Sequence, residues 1–306
     1  MGVWIDTDMG FDDIAALMMV SRSDEVIDGV SLVFGNTELD GVRRNAAAAA
    51  KAFGWHFPIH EGRGAPLVAP METAANVLGD TGIRTVGRHL PEANELPRSA
   101  AFTALCDWLA AAPAPRRILA LGPLTNIAVL ALARPDLAGR VDELVWMGGG
   151  VTGGNHTIWA EFNAYADPEA LAVVLAHDIP LRMVDLDLCR RVRIGGETIA
   201  PVRSAGGALA EYIADMLAGY VEIGTRRGRT SVSVYDAVAG VAFITTGIVA
   251  FQPATISVDL CASETRGRTH VAMSPQAVPN ASCAVDVDAD RVREILLQTL
   301  LAEAAR

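Results

Sequence analysis

The chain has 306 residues, of which 51% are hydrophobic and 20% charged, so it can bury a large core and is not intrinsically disordered. Its 36 acidic residues outnumber its 25 lysines and arginines, and the formal net charge of −11 leaves no general positive field to hold a nucleic acid. The longest uncharged stretch, 237–252, is too short for a bilayer span of about 20 residues and is interpreted as a buried helix. We therefore expect no nucleic-acid or membrane partner.

Short β-like runs alternate with helix-like runs through the first 190 residues or so, as in βαβ units. The predicted strands are 3–5, 30–34, 117–121, 141–147, 180–186, 255–260, 270–273 and 284–287. The predicted helices are 14–20, 41–53 with Gly54 as C-cap, 127–133, one that Asp167 caps and Pro168 begins, 208–226 and 235–246. This order predicts an α/β fold with one domain over residues 1–306. We expect an open, mainly parallel mixed sheet flanked by helices, with the active site at the carboxyl ends of the strands.

Four aspartates lie within eight residues at the end of the first strand: Asp6, Asp8, Asp12 and Asp13. Buried together without a cation, they would repel one another. Asp6 and Asp8 would share one face of a strand, and Asp12 and Asp13 would begin a helix, where the helix dipole favours anions. Taken alone, Asp12 could be a helix cap and Asp6 a solvated strand end. With Asp8 and Gly10 added, the pattern favours a hard divalent metal, although it lacks the spacing of an EF-hand.

The segment Asp6-Thr7-Asp8-Met9-Gly10-Phe11-Asp12-Asp13 resembles the DxDxGxDD signature that opens the inosine-uridine nucleoside hydrolase family. Further matches follow in the family's order, from Val3 to about Asp236. They are Gly35-Asn36-Thr37, Arg44-Asn45-Ala46, Leu121-Gly122-Pro123-Leu124-Thr125-Asn126-Ile127-Ala128, Met147-Gly148-Gly149-Gly150, Asn155, Ala160-Glu161-Phe162-Asn163, Asp167-Pro168 and Tyr235-Asp236-Ala237.

The resemblance implies an N-ribohydrolase that gives free base and ribose and holds a Ca²⁺ ion tightly. The implied metal ligands are Asp8, Asp13, Asp236 and the backbone carbonyl of Leu121, an oxygen-only set that suits calcium. Asp8 would also be the general base toward the attacking water. The implied sugar contacts are Asp12 and Asn36 on the 2′ side, and Asn155, Glu161 and Asn163 at the 3′ and 5′ hydroxyls.

The residue chemistry agrees with such a reaction. Breaking an N-glycosidic bond passes through an oxocarbenium-like sugar, which negative charge and hydrogen-bond acceptors stabilise. If their segment is extended, the period-two spacing of Glu161 and Asn163 directs both side chains the same way; otherwise they fill turn roles. Trp159 is either a packing residue or a wall on which a base stacks.

Three histidine positions of the family's inosine-uridine branch differ in this chain. The histidine before the last calcium-binding aspartate is replaced by Tyr235, a His-Gly pair by Leu78-Gly79, and a Thr-His pair by Cys189-Arg190. Tyr235 is interpreted as a stacking platform, as a weak acid with a pKa of about 10, or as part of the wall. His156 is the one histidine near a motif, and we do not expect it to be catalytic.

Two alternatives stay open at this stage. One is a non-catalytic nucleoside binder that keeps the calcium and ribose contacts. The other, less favoured, is a magnesium-dependent phosphatase with Asp6 as nucleophile and Asp8 as acid/base. A phosphatase would bind the phosphate group through cationic side chains, whereas this chain has Asn and Glu at the corresponding places. The base preference, purine or pyrimidine, is not predicted, and the family suggests a homodimer or homotetramer.

The four cysteines are Cys106, Cys189, Cys261 and Cys283, and they have neither CxxC spacing nor the pattern of a disulfide framework. We interpret them as mostly reduced core residues. No basic and apolar leader precedes the strand-like run at Val3, so we expect a cytoplasmic enzyme of nucleoside salvage.

Overall fold

The computed structural model describes residues 2–274, 276 and 278–306. Its strands are β1 (Gly2–Thr7), β2 (Val26–Leu32), β3 (Ile59–Glu61), β4 (Arg117–Ala120), β5 (Glu143–Met147), β6 (Leu181–Val184), β7 (Arg193–Gly195), β8 (Ser231–Ser233), β9 (Val249–Val258), β10 (Thr269–Ala272) and β11 (Ala281–Val287). Its α-helices are α1 (Phe11–Ser21), α2 (Leu39–Phe53), α3 (Ala75–Leu78), α4 (Ala101–Ala111), α5 (Thr125–Ala133), α6 (Pro135–Ala138), α7 (Phe162–Ala166), α8 (Pro168–Ala176), α9 (Leu186–Cys189), α10 (Ile199–Arg203), α11 (Ala210–Thr225), α12 (Tyr235–Ile244) and α13 (Ala289–Ala304).

The described residues form one nine-stranded sheet in the order β10-β9-β11-β6-β5-β4-β1-β2-β3. Every neighbouring pair from β11 to β3 is parallel, whereas β9 is antiparallel to both β11 and β10. A separate two-stranded ribbon pairs β7 with β8. The predicted open, mainly parallel mixed sheet is confirmed.

Strand β1 shows how both faces of the sheet are covered. Val3 and Ile5 belong to the hydrophobic core that includes residues of α1, α2, α11, α12 and α13. Trp4 belongs to the core on the other face, with residues of α4, α5 and α8. Successive side chains of a strand point to opposite faces, so a parallel strand covered on both sides is an unbroken apolar run.

The strand order reverses between β1 and β4, which are neighbours in the sheet. The chain moves from β1 outward to β2 and β3 on one side, and from β4 outward to β5 and β6 on the other. In open α/β sheets this reversal leaves a crevice beyond the carboxyl ends of the strands, where ligands bind. The residues that follow β1 and β4, beginning with Asp8 and Leu121, share that crevice.

Two predicted helix ends are confirmed. Gly54 ends α2 in a left-handed conformation with a φ of 65°, which a residue without Cβ adopts freely. Asp167 caps α8, since its carboxylate accepts a hydrogen bond from the backbone N–H of Ala170 at 3.1 Å, and Pro168 is the first helical residue.

The prediction of one buried helix over 237–252 is wrong. Helix α12 ends at Ile244, and β9 begins at Val249. Between them Gly247 has a φ of 85°, which turns the chain into the sheet. In the described part of the chain no helix combines the length and the apolar character that a membrane crossing requires.

Candidate active site

A cleft of about 980 Å³, including its open mouth, lies at the carboxyl ends of the central strands. Residues after β1, β2 and β4 form its floor, the loop after β5 and the start of α7 form one wall, and α11 and β8 form another. The predicted site residues that line it are Asp8, Asp12, Asn36, Leu121, Asn155, Glu161, Asn163, Tyr235 and Asp236. Asp13 is fully buried beneath the cleft.

The turn between β1 and α1 places the aspartates. Met9 has a φ of 52°, a left-handed conformation that costs a non-glycine residue free energy and is found mainly where the fold imposes it. Helix α1 then begins at Phe11, so Asp13 lies in its first turn and accepts the backbone N–H of Gly10 at 2.9 Å. The hydroxyl of Thr7 donates to the other Asp13 oxygen at 2.5 Å. These contacts, with the dipole of α1, fix a buried carboxylate.

Asp13 lies at the centre of the acidic cluster. Its carboxyl is within hydrogen-bond reach of both the Asp8 and the Asp236 carboxyls. Oxygen atoms of Asp12, Asp13 and Asp236 lie within 4.8 Å of one another. The cluster therefore joins residues from the start of α1 and the start of α12, far apart in sequence.

Burial raises the pKa of each carboxyl in this cluster, and for Asp8, Asp12 and Asp236 the neighbouring carboxylates add to the effect. The pKa values of Asp8 and Asp236 lie well above their usual range, and that of Asp12 is raised to about 7. Without a counter-charge the cluster therefore retains protons at neutral pH. A divalent cation surrounded by carboxylate oxygens would take the place of those protons, so this donor set fits a hard metal ion.

Asp6 is fully buried and does not line the cleft. Its Oδ1 accepts hydrogen bonds from the Ser31 hydroxyl and, at 2.7 Å, from the Asn126 side-chain amide. Its Oδ2 has no hydrogen-bond partner among the described residues, and burial raises the pKa of Asp6 to about 7. Asp6 is therefore not a solvated strand end, and it does not reach a substrate as the nucleophile of a phosphatase must.

The side chain of Glu161 caps helix α7. It accepts backbone N–H groups from Gly149 at 2.8 Å, Asn163 at 2.9 Å and Ala164 at 3.0 Å, while burial raises its pKa to about 7. The segment is thus the start of a helix and not the extended run that period-two spacing requires. Glu161 and Asn163 still both line the cleft. The Asn163 side-chain amide donates to the carbonyl oxygens of Leu121 at 2.9 Å and Met147 at 3.0 Å.

Trp159 does not line the cleft, and the Arg268 guanidinium lies 4.8 Å from its ring centre. This arrangement favours the packing interpretation of Trp159 over the base-stacking one. Arg190, at a family histidine position, donates to the Gly154 carbonyl at 2.6 Å and pairs with Asp187 at 3.1 Å. It fixes the loop that carries Asn155 instead of facing the cleft.

Tyr220 of α11 is a site residue that the sequence motifs did not indicate. Its hydroxyl lies 2.9 Å from Asp12 Oδ2 and 2.9 Å from the Ser233 carbonyl, and it lines the cleft. Tyr220, Ile223 and Gly224 share one face of α11 and all line the cleft. Their spacing of three and four residues was the feature of the sequence that could have indicated Tyr220 as a site residue. That spacing predicts an apolar helix face equally well, which is why it carried no functional information.

An acid-lined crevice at the strand-order reversal of an open α/β sheet is typical of an enzyme that acts on a small polar ligand. The inosine-uridine preferring nucleoside hydrolase family matches residues 3–294, and the chain belongs to this family. It is accordingly a ribonucleoside hydrolase, an enzyme that acts on N-glycosyl compounds.

Individual relatives differ in the base that their names specify. The pyrimidine-specific ribonucleoside hydrolase RihB of Escherichia coli O157:H7 is 33% identical over 218 residues, covering 70% of this chain and 68% of that protein. The structure of a purine-preferring ribonucleoside hydrolase from Gardnerella vaginalis is 23% identical with a TM-score of 0.91, covering 100% and 99% of the two chains. An inosine-guanosine nucleoside hydrolase is 25% identical with a TM-score of 0.87 and covers 98% of each chain. The likeness to the Gardnerella structure concerns the fold alone.

Proposed function

We propose that the enzyme releases the free base and ribose from ribonucleosides in a calcium-dependent reaction in this cleft. The observation that carries the proposal is the buried Asp13 carboxyl between those of Asp8 and Asp236. With the backbone carbonyl of Leu121, a residue that also lines the cleft, these three residues would hold Ca²⁺ through oxygen atoms alone. When bound, such an ion would supply Lewis acidity toward water and sugar hydroxyls.

Asp8 is the proposed general base. Asn36 fixes its carboxylate with two hydrogen bonds, so one orientation is preorganised toward the cleft. In the reaction the water oxygen forms a bond to C1′ and one water proton passes to Asp8. The C1′–N bond breaks, and its electron pair leaves with the base.

The other polar side chains of the cleft are proposed to hold the ribose. Asp12, fixed by Tyr220, and Asn36 would bind on the 2′ side. Asn155, Glu161 and Asn163 would bind the 3′ and 5′ hydroxyls. The sugar gains positive charge in the transition state, so its interaction with the surrounding acceptor groups is stronger there than in the ground state. This stronger interaction lowers the activation barrier.

We further propose that the enzyme acts in nucleoside salvage in the cytoplasm, as a homodimer or homotetramer. The compartment is supported by the four cysteines, which are free thiols and of which Cys106, Cys189 and Cys283 are buried. The assembly and the salvage role rest on the family.

Ribose release from a panel of purine and pyrimidine ribonucleosides tests the proposed function, with phosphate release from p-nitrophenyl phosphate measured in parallel. We expect ribose from at least one nucleoside and no phosphate. Asp8→Ala should abolish ribose release, whereas Asp24→Ala, which removes an exposed carboxylate, should leave it unchanged. Tight binding of nucleosides without turnover would contradict the catalytic proposal.

A further inference from the structure

The charges that line the cleft are divided between its floor and its mouth. The carboxyl groups of Asp8, Asp12 and Asp236 lie on the floor and that of Glu161 on one wall, whereas the mouth carries Arg227 and Arg229. Both arginines are exposed, and neither has a side-chain hydrogen bond or an ion pair with any residue in 2–274, 276 or 278–306.

The neighbouring Arg226 provides the contrast. Its guanidinium pairs with Glu222 at 3.3 Å, and the residue does not line the cleft. The chain as a whole has a net charge of −11, which repels anions in general. The two unpaired guanidinium groups therefore form a local positive charge at the mouth of the cleft. An anionic group on a ligand would neutralise that charge.

The two arginines lie on the α11 side of the cleft. They follow directly on α11, the wall that contacts the sugar site through Tyr220 and Asp12. The residues proposed to hold the 3′ and 5′ hydroxyls lie on the opposite wall, after β5. Tyr235 lines the same cleft as the two arginines. If the 3′ and 5′ hydroxyls face the opposite wall as proposed, the base would lie on the side lined by α11, Tyr235 and the two arginines.

We propose that Arg227 and Arg229 recognise ribonucleosides whose base carries a carboxylate. This inference rests on the proposed function, since it assigns the substrate class of that same site. A guanidinium group binds a carboxylate through two parallel hydrogen bonds and is always charged.

The test compares kcat/KM for uridine with kcat/KM for its 5-carboxylate and 6-carboxylate, in wild type and in Arg227→Gln, Arg229→Gln and the double variant. At low salt we expect each single variant to lower the preference for one carboxylate over uridine by about 10-fold, and the double variant by about 100-fold. The wild-type preference should shrink as salt rises, because exposed charges are screened. Arg226→Gln is the matched control and should leave the preference unchanged.

Three outcomes would overturn the inference. Equal losses with uridine and its carboxylates would make the arginines structural. A wild-type preference for uridine 5′-monophosphate that depends on the arginines would place the recognised charge on the sugar side. If calorimetry finds that the double variant binds uracil 5-carboxylate and uracil 6-carboxylate as tightly as wild type does, the arginines do not contact the carboxylate. Failure of wild type to release ribose from any nucleoside would instead refute the proposed function, and the calorimetric comparison would still decide the role of the arginines.

Discussion

Asn36 binds both carboxylate oxygens of Asp8. Its backbone N–H donates to Oδ2 at 2.8 Å, and its side-chain amide donates to Oδ1 at 2.7 Å. The approach requires Gly35, because a Cβ at that position would lie 2.0 Å from Asp8 Oδ2. One residue after β2 therefore fixes the orientation of the proposed base after β1.

Removal of the Asn36 side chain should impair catalysis more than folding. In Asn36→Ala the backbone bond to Asp8 remains and the side-chain bond is lost, so we expect kcat to fall by about 100-fold, the scale of one preorganised donor. The thermal unfolding midpoint should change little. Asn94→Ala, which removes an exposed amide outside the cleft, is the control. Wild-type kcat in Asn36→Ala would show that Asp8 needs no such support.

The 2′-hydroxyl should be essential. If Asp12, Asn36 and the cation all contact it, a 2′-deoxynucleoside leaves buried polar groups unpaired, and kcat/KM should fall by up to about 10⁴-fold. Inosine and 2′-deoxyinosine, or uridine and 2′-deoxyuridine, are the pairs to compare. Equal turnover of the two sugars would contradict the assigned 2′ contacts.

Substitutions can separate a proton-donating role of the Tyr235 hydroxyl from a packing or stacking role of its ring. Burial raises the pKa of its hydroxyl above the usual value near 10, which makes it a poor proton donor at neutral pH. We therefore expect Tyr235→Phe to retain most activity on natural nucleosides and on p-nitrophenyl riboside, and Tyr235→Ala to lose activity on the nucleosides. A loss of about 100-fold or more in Tyr235→Phe, confined to nucleosides, would identify a general acid. Equal loss on both substrates would point to sugar or metal positioning.

The metal-free protein should lose stability as pH rises. Burial raises the pKa of Asp6 and Asp12 to about 7, above the value of about 3.9 in an unfolded chain. Between these values the folded state binds more protons than the unfolded state, so the free energy of unfolding decreases with increasing pH. Calcium-free protein should melt at a higher temperature near about pH 5 than near about pH 8. Asp12→Asn should reduce this difference, and Asp24→Asn should not; an unchanged difference in Asp12→Asn would contradict the assignment.

The sequence predicted the sheet and most of the cleft because both depend on local patterns. Apolar runs that end in Asp8 or in Gly35-Asn36 mark where parallel strands end, and such ends meet at one edge of a sheet. Tyr220 was not predictable in this way, since its bond to Asp12 depends on how α11 packs beside α1. The spacing of Glu161 and Asn163 did not distinguish a strand from a helix start, because a helix cap and the second residue of the helix are also two positions apart. The role of Trp159 could not be predicted, because an aromatic residue serves packing and stacking equally.

The measurement that tests the central proposal most directly is the calcium content of each chain together with ribose release, before and after chelation. We expect about one Ca²⁺ per chain, loss of activity on its removal and recovery on its return, because the buried carboxylates of Asp8, Asp13 and Asp236 need a cation to remain charged together. Asp236→Ala should lower both metal content and activity, and Asp24→Ala should lower neither. Full ribose release by calcium-free wild type, or by metal-free Asp8→Ala, would contradict the account.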